Sequence, residues 1–195
     1  MKKIEFVFRE LLYQCLEKRN RRFTQLALSK ELGLSTSMVS FALNPLKKMN
    51  AVEIRQMGFS LIDPRKALYH WASARNIEKD IVYSTRVEMP VVEMEKAMPD
   101  NIVFGAYSAY RLRFKDAPAD YSEVYVYGDE TLKKRFPEAK GPANLFVLRK
   151  DPMMEKYGKF TAMAQTFVDL WNIKSWYAGD YLKALEAKIN ERILE

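Results

Sequence analysis

Gln25 to Leu46, QLALSKELGLSTSMVSFALNPL, constrains the fold more than any other stretch, because it encodes two helices meeting at a sharp corner. The first carries Leu26, Leu28 and Leu32, with small Ala27 and Ser29 where a second helix must approach closely. Gly33 tolerates the left-handed backbone that ends one helix and turns the chain. Leu34 then plugs the corner, and Ser35 or Thr36 caps the next helix by accepting a bond from its free N–H groups. Helical spacing makes that second helix bury Met38, Val39, Ala42 and Leu43 and expose Thr36, Ser37, Ser40 and Asn44. Short hydroxyl and amide side chains on an exposed helix face suit the major groove, so the pattern predicts double-stranded DNA as a partner.

The next residues along the chain point the same way. Pro45 is expected to end the second helix, since proline lacks the N–H that continues the ladder. Lys47 and Lys48 lie just beyond. Ala51 to Arg55 and Phe59 to Ile62 then read as two short strands around Gln56-Met57-Gly58, a hairpin-length break. A hairpin placed there would be a wing whose tip, Arg55 and Gln56, reaches phosphates or the minor groove. The candidate DNA-binding set is therefore Ser35, Thr36, Ser37, Ser40, Asn44, Lys47, Lys48, Arg55 and Gln56. The spacing of Ser29, Gly33 and Val39 resembles the recognition unit of winged-helix regulators of the MarR and related groups. The competing readings are an ordinary helical hairpin within a core and a winged helix that binds protein.

Charge is divided unevenly. Residues 1–76 contain 14 Lys and Arg against 6 Asp and Glu, whereas residues 77–195 contain 18 against 19, so the whole excess of +7 comes from the first part. Such a surface gains affinity for nucleic acid by releasing counterions from the phosphates it neutralises. Lys47 and Lys48, between helix and wing, are the best placed for this. Lys18, Arg19, Arg21 and Arg22 read equally well as a solvated helix end, where cations are favoured.

The shift in charge over 195 residues predicts two domains, 1–76 and 77–195. A single cysteine and a single histidine exclude a disulfide framework and argue against structural zinc. Cys15 sits in an apolar helical stretch and is expected to pack as a small hydrophobe. No run is long and apolar enough to span a bilayer, and Met1-Lys2-Lys3 leads into no signal-peptide core, so a cytoplasmic location without membrane contact is expected.

Lys3 to Arg19 reads as a helix with apolar Phe6, Phe8, Leu11, Leu12, Cys15 and Leu16 near helical period. Asp63-Pro64 starts another, running to about Asn76 and carrying His70, which has no catalytic partner at helical spacing. Beyond it, strands are predicted at Ile81–Val87, Ile102–Phe104, Glu123–Tyr127 and Asn144–Leu148, the third with one buried face. Helices are predicted at Val91–Met98, Ala109–Phe114, Thr161–Trp171 and Gly179–Leu194, the last two amphipathic. The expected fold class is α+β, an N-terminal winged helix-turn-helix followed by an α/β domain.

The order of these elements, FGAYSAYRL at 104–112 and FTAMAQTFVDLWNIKSWYAGDYLKALEAKI at 160–189 are similar to the nucleotidyltransferase-like module of AbiEi-type antitoxins, which follows an N-terminal winged helix. Active nucleotidyltransferases use an adjacent Gly-Ser pair and alternating carboxylates that hold two metals. Here Gly105 and Ser108 are separated, and Glu123, Tyr125 and Tyr127 stand where Asp-x-Asp is needed; tyrosine is a poor ligand for hard cations. The resemblance therefore implies a non-catalytic relative without a cofactor, and a toxin-like protein partner held through residues 77–195. A palindromic operator would require a homodimer with half-sites about one turn, ~34 Å, apart. Asp129-Glu130 and Asp116/Asp120, beside Lys115, Lys133 and Lys134, read as solvated ion pairs. Trp176-Tyr177 is either core or a partner-binding patch. The rival functions are an active nucleotidyltransferase, an RNA-binding protein and a pure protein-interaction module.

Overall fold

A helix that stays amphipathic on two sides must be covered on two sides, and the first helix, α1 (Lys3–Lys18), meets that condition. In the computed structural model, which describes residues 1–194, its apolar stripe Val7, Phe8, Leu11, Leu12, Cys15 and Leu16 is buried against α2 (Gln25–Leu32), α3 (Thr36–Lys48) and α4 (Pro64–Ala74). Its charged Glu5, Arg9 and Glu10 are also buried; Glu5 meets Trp71 and Arg75, whereas Arg9 meets Asp151 and Glu10 meets Tyr157 in the other half of the chain. A short strand, β1 (Arg22–Phe23), joins the hairpin β2 (Val52–Arg55) and β3 (Gly58–Leu61) in an antiparallel sheet of order β1-β3-β2. Gln56 and Met57 alone connect the hairpin, because Arg55 pairs with Gly58. Gly58 has φ +149°, and a Cβ there would collide with the Phe23 carbonyl oxygen, so β1 lies that close only to a glycine.

The second sheet has the order β4-β7-β6-β5, formed by β4 (Ile81–Thr85), β5 (Val103–Phe104), β6 (Val124–Gly128) and β7 (Leu145–Arg149). Only β6 and β7 run parallel. The expectation of one buried face on β6 is not met: Val124 and Val126 enter a cluster with Met94 of α5 (Val91–Lys96), while Tyr125 and Tyr127 enter the main core. Both faces of that strand are covered, so all five of its residues are buried.

α6 (Ala106–Phe114), α7 (Met163–Trp171) and α8 (Ala178–Leu194) pack on the main-core side. The expected solvent face of α7 is missing: Met163 to Leu170 are all buried, because α1 and α4 cover one flank and α6 and α8 the other. The result is a mixed α+β protein in which one apolar core runs from Val7 and Trp71 through Phe167 to Tyr181 and Ile189. Among the described residues no helix is long and apolar enough to cross a membrane.

Buried polar groups tie the halves together. Arg9 is fully buried and grips Asp151 with two bonds of 2.8 Å, while its Nη1 also reaches Gln165 Oε1 at 3.2 Å. Arg75 donates to the Tyr127 hydroxyl at 3.1 Å, to Asp169 at 3.4 Å and to Asp80. Tyr127 donates onward to Asp169 at 2.7 Å, and Trp71 Nε1 donates to Glu5 at 2.9 Å. Charges this deep are tolerable only because each has several partners.

Candidate nucleic-acid interface

The corner between α2 and α3 is built by Ser29, Gly33, Leu34 and Ser35, as the spacing indicated, together with Thr24, which it did not single out. The Thr24 hydroxyl accepts from the Ala27 N–H at 3.1 Å and caps α2. Gly33 takes φ +60° and ends it, after which the Leu34 N–H donates to the Ser29 carbonyl at 2.9 Å. Ser29 is buried at the helix crossing, whereas Ala27 is exposed and lines a cleft of about 360 Å³ with Arg22, Phe23 and Met57. Ser35 is the cap of α3, accepting from the Met38 N–H at 3.2 Å, and its hydroxyl shares a 2.9 Å hydrogen bond with Ser37.

α3 buries Val39, Ala42, Leu43 and Leu46 and half-buries Met38. Pro45 does not end it; the helix runs three residues further, to Lys48. The N–H that Pro45 lacks would have met the Phe41 carbonyl, and both residues lie toward the solvent side, where water can serve that oxygen. Fully buried Leu46 holds the last turn onto the core. Lys47 and Lys48 are therefore the final turn of the helix itself, where cations offset the exposed carbonyl dipoles.

The outward face of α3 presents Ser37, Phe41, Asn44 and Lys48 in line, with half-buried Ser40 beside them and Thr36 and Lys47 along one edge. No acidic residue lies on α3, and among the described residues Lys47 and Lys48 make no ion pair. Arg55 and Gln56 are exposed at the end of the hairpin; the Arg55 guanidinium is held by Glu53 at 2.8 Å. Phe41, 63% exposed at the centre of the α3 face, is absent from the sequence-derived set. Its position four after Ser37 and three before Asn44 was the available signal. Leu26 on α2 and Ile54 and Met57 on the hairpin are also exposed, Met57 to 90% at the turn.

In the second half, most positions compared with nucleotidyltransferase chemistry lie in the core, while Glu123 is half-buried at a cleft. Ser108 and Tyr127 are buried, and burial holds the Tyr127 phenol well above its ordinary value. Tyr125 stacks on Phe146 with ring centroids 4.7 Å apart, and Glu123 accepts from the Ser175 hydroxyl at 2.7 Å. A Cβ on Gly105 would press against the Tyr127 ring at 3.2 Å, which explains glycine at the entry to α6. A cleft of about 640 Å³ lies beside Asp129, Glu130, Arg149, Lys150 and Glu155. Its charges are largely spoken for. Lys150 pairs with Glu155 at 2.7 Å and Glu130 with Lys133 at 3.2 Å. Hydrogen bonds from the Thr131 hydroxyl and N–H hold the Asp129 carboxyl below its ordinary value. Among the described residues no three or more His, Cys, Asp and Glu gather as a metal site. Trp176 is 84% exposed while its neighbour Tyr177 is buried, so the pair divides between surface and core.

Comparison with protein-family models, with curated proteins and with solved structures returned no match.

Proposed function

We propose that this chain is a DNA-binding transcriptional regulator that grips duplex DNA with α3 and the β2–β3 hairpin, used as a winged helix. One observation carries the reading: α3 offers an outward face without acidic side chains, beside an exposed hairpin, and its Lys47 and Lys48 make no ion pair among the described residues. The excess of positive charge in residues 1–76 supports it, because that charge favours phosphate contact. On this reading residues 77–195 form a non-catalytic, nucleotidyltransferase-like half of an antitoxin-like protein. Exposed Trp176 supports a protein partner there, since tryptophan is enriched at interface hot spots. Binding to a palindromic operator would proceed as a homodimer.

A second reading, a module that docks protein through the helix-turn-helix face, draws support from exposed Leu26, Ile54 and Met57. Selection of bound duplexes from a random pool, sequenced at two salt concentrations, separates the two. A recovered motif establishes a sequence-specific regulator. Salt-sensitive binding without a motif reduces the reading to a basic nucleic-acid surface, with RNA the next ligand to try. No enrichment at either salt overturns DNA binding and leaves the protein-docking module.

A further inference from the structure

We propose that α3 reads an A·T-rich half-site, with Asn44 on the major-groove edge of an adenine and Phe41 packed on a thymine methyl group. This rests on the duplex-DNA reading above and specifies what that duplex contains. The outward face of α3 carries no arginine, the side chain that most often reads guanine through paired bonds to O6 and N7. It carries instead one carboxamide, Asn44, exposed and bonded to no other side chain among the described residues. A carboxamide offers a donor and an acceptor side by side, which matches the N7 acceptor and N6 amino donor of adenine.

Phe41 supplies the second contact. Its ring is 63% exposed at the middle of the face, where a polar residue would be expected if the surface met only water. The thymine 5-methyl is the apolar group that the floor of the major groove presents. Phe41 and Asn44 are three residues apart on one face, about 5 to 6 Å between Cβ atoms. That separation lets both reach neighbouring base pairs of one strand, ~3.4 Å apart. Ser37 and Ser40, whose hydroxyls both donate and accept, add little preference, so the discrimination falls to these two. Lys47 and Lys48 complete the charge match on the phosphates alongside.

The test substitutes single atoms of the selected duplex. Thymine is replaced by deoxyuridine, which lacks only the methyl, and adenine by 7-deazaadenine, which lacks N7. Each duplex is titrated against the full-length chain, Phe41→Ala and Asn44→Ala. The wild-type protein is expected to lose affinity on the order of 4-fold at one deoxyuridine position. It should lose on the order of 10-fold at one 7-deazaadenine position. Phe41→Ala should become indifferent to the first exchange and Asn44→Ala to the second, and unfolding curves and far-UV circular dichroism like those of the wild type confirm that both fold. A selected motif with G·C pairs at the contacted positions, equal penalties in wild type and variants, or binding without any motif overturns this proposal and leaves DNA binding standing. Failure to bind any duplex overturns the DNA reading itself, and this proposal with it.

Discussion

Arg75 decides how much of the buried polar chemistry can survive alone. Its guanidinium serves buried Asp169 and Tyr127 and half-buried Asp80, so truncation leaves Asp169 and the Tyr127 phenol without their cation and Asp80 with the N-terminal ammonium alone. Arg75→Ala should destabilise the protein by about 3–5 kcal/mol, read from the shift of a urea unfolding curve. His70, the single histidine, lies half-buried with its ring edge-on to Phe8 at 5.3 Å. Burial holds its imidazole below the ordinary value. The neutral form is thus favoured by folding, and the stability present above pH ~6.5 is lost as the pH falls through the folded-state value. An NMR titration of the imidazole C–H signals should give a midpoint below ~6.5 and return to ~6.5 in urea. A midpoint at or above that value in the folded protein would contradict the burial argument.

At the scale of elements, the hairpin depends on its contact with β1. Gly58→Ala must push β3 away from the Phe23 carbonyl at a φ that side chains rarely adopt. A cost of about 1–3 kcal/mol is expected, together with faster amide exchange at Phe59 and Leu61. Gly33→Ala is the milder counterpart, because its φ of +60° is unfavourable but nothing stands within 4 Å of the new methyl. For α3 the expectation concerns charge rather than packing. Replacing Lys47 and Lys48 together by Gln should shift the unfolding curve only by the lost helix-end charge, about 0.3–1 kcal/mol for each lysine. It should also flatten the dependence of log K on log salt by about 2, close to one unit for each phosphate no longer neutralised. An unaltered slope would place those lysines off the DNA. The corner residues Gly33, Ser35 and Leu34 were legible in the sequence because turn and cap chemistry is local. The end of α3 was not. Pro45 weighs against helix locally, and only the tertiary burial of Leu46 keeps the last turn in place.

The whole molecule shares one main core across residue 76, and α1, α4, α7 and α8 meet through both apolar and charged side chains. Urea unfolding followed by Trp fluorescence and by far-UV circular dichroism should therefore trace one coincident transition. Two separated transitions would mean that the halves fold independently. What the sequence alone determined is everything whose cause lies within a few residues: the α2–α3 corner and its caps, the hairpin, the amphipathic stripe of α1, and the concentration of positive charge before residue 77. What only the tertiary structure decided is everything whose cause lies far along the chain. Glu5, Arg9 and Glu10 carry no local sign of burial, and it is Trp71, Asp151 and Tyr157, distant in sequence, that bond them inside the protein. β1 exists only because β3 lends it hydrogen bonds. Tyr125 and Tyr127 occupy a strand whose alternation suggests one solvated face, and helices distant in sequence cover it. Burial is a property of the assembled elements, and local periodicity records only the faces that a single neighbour would need.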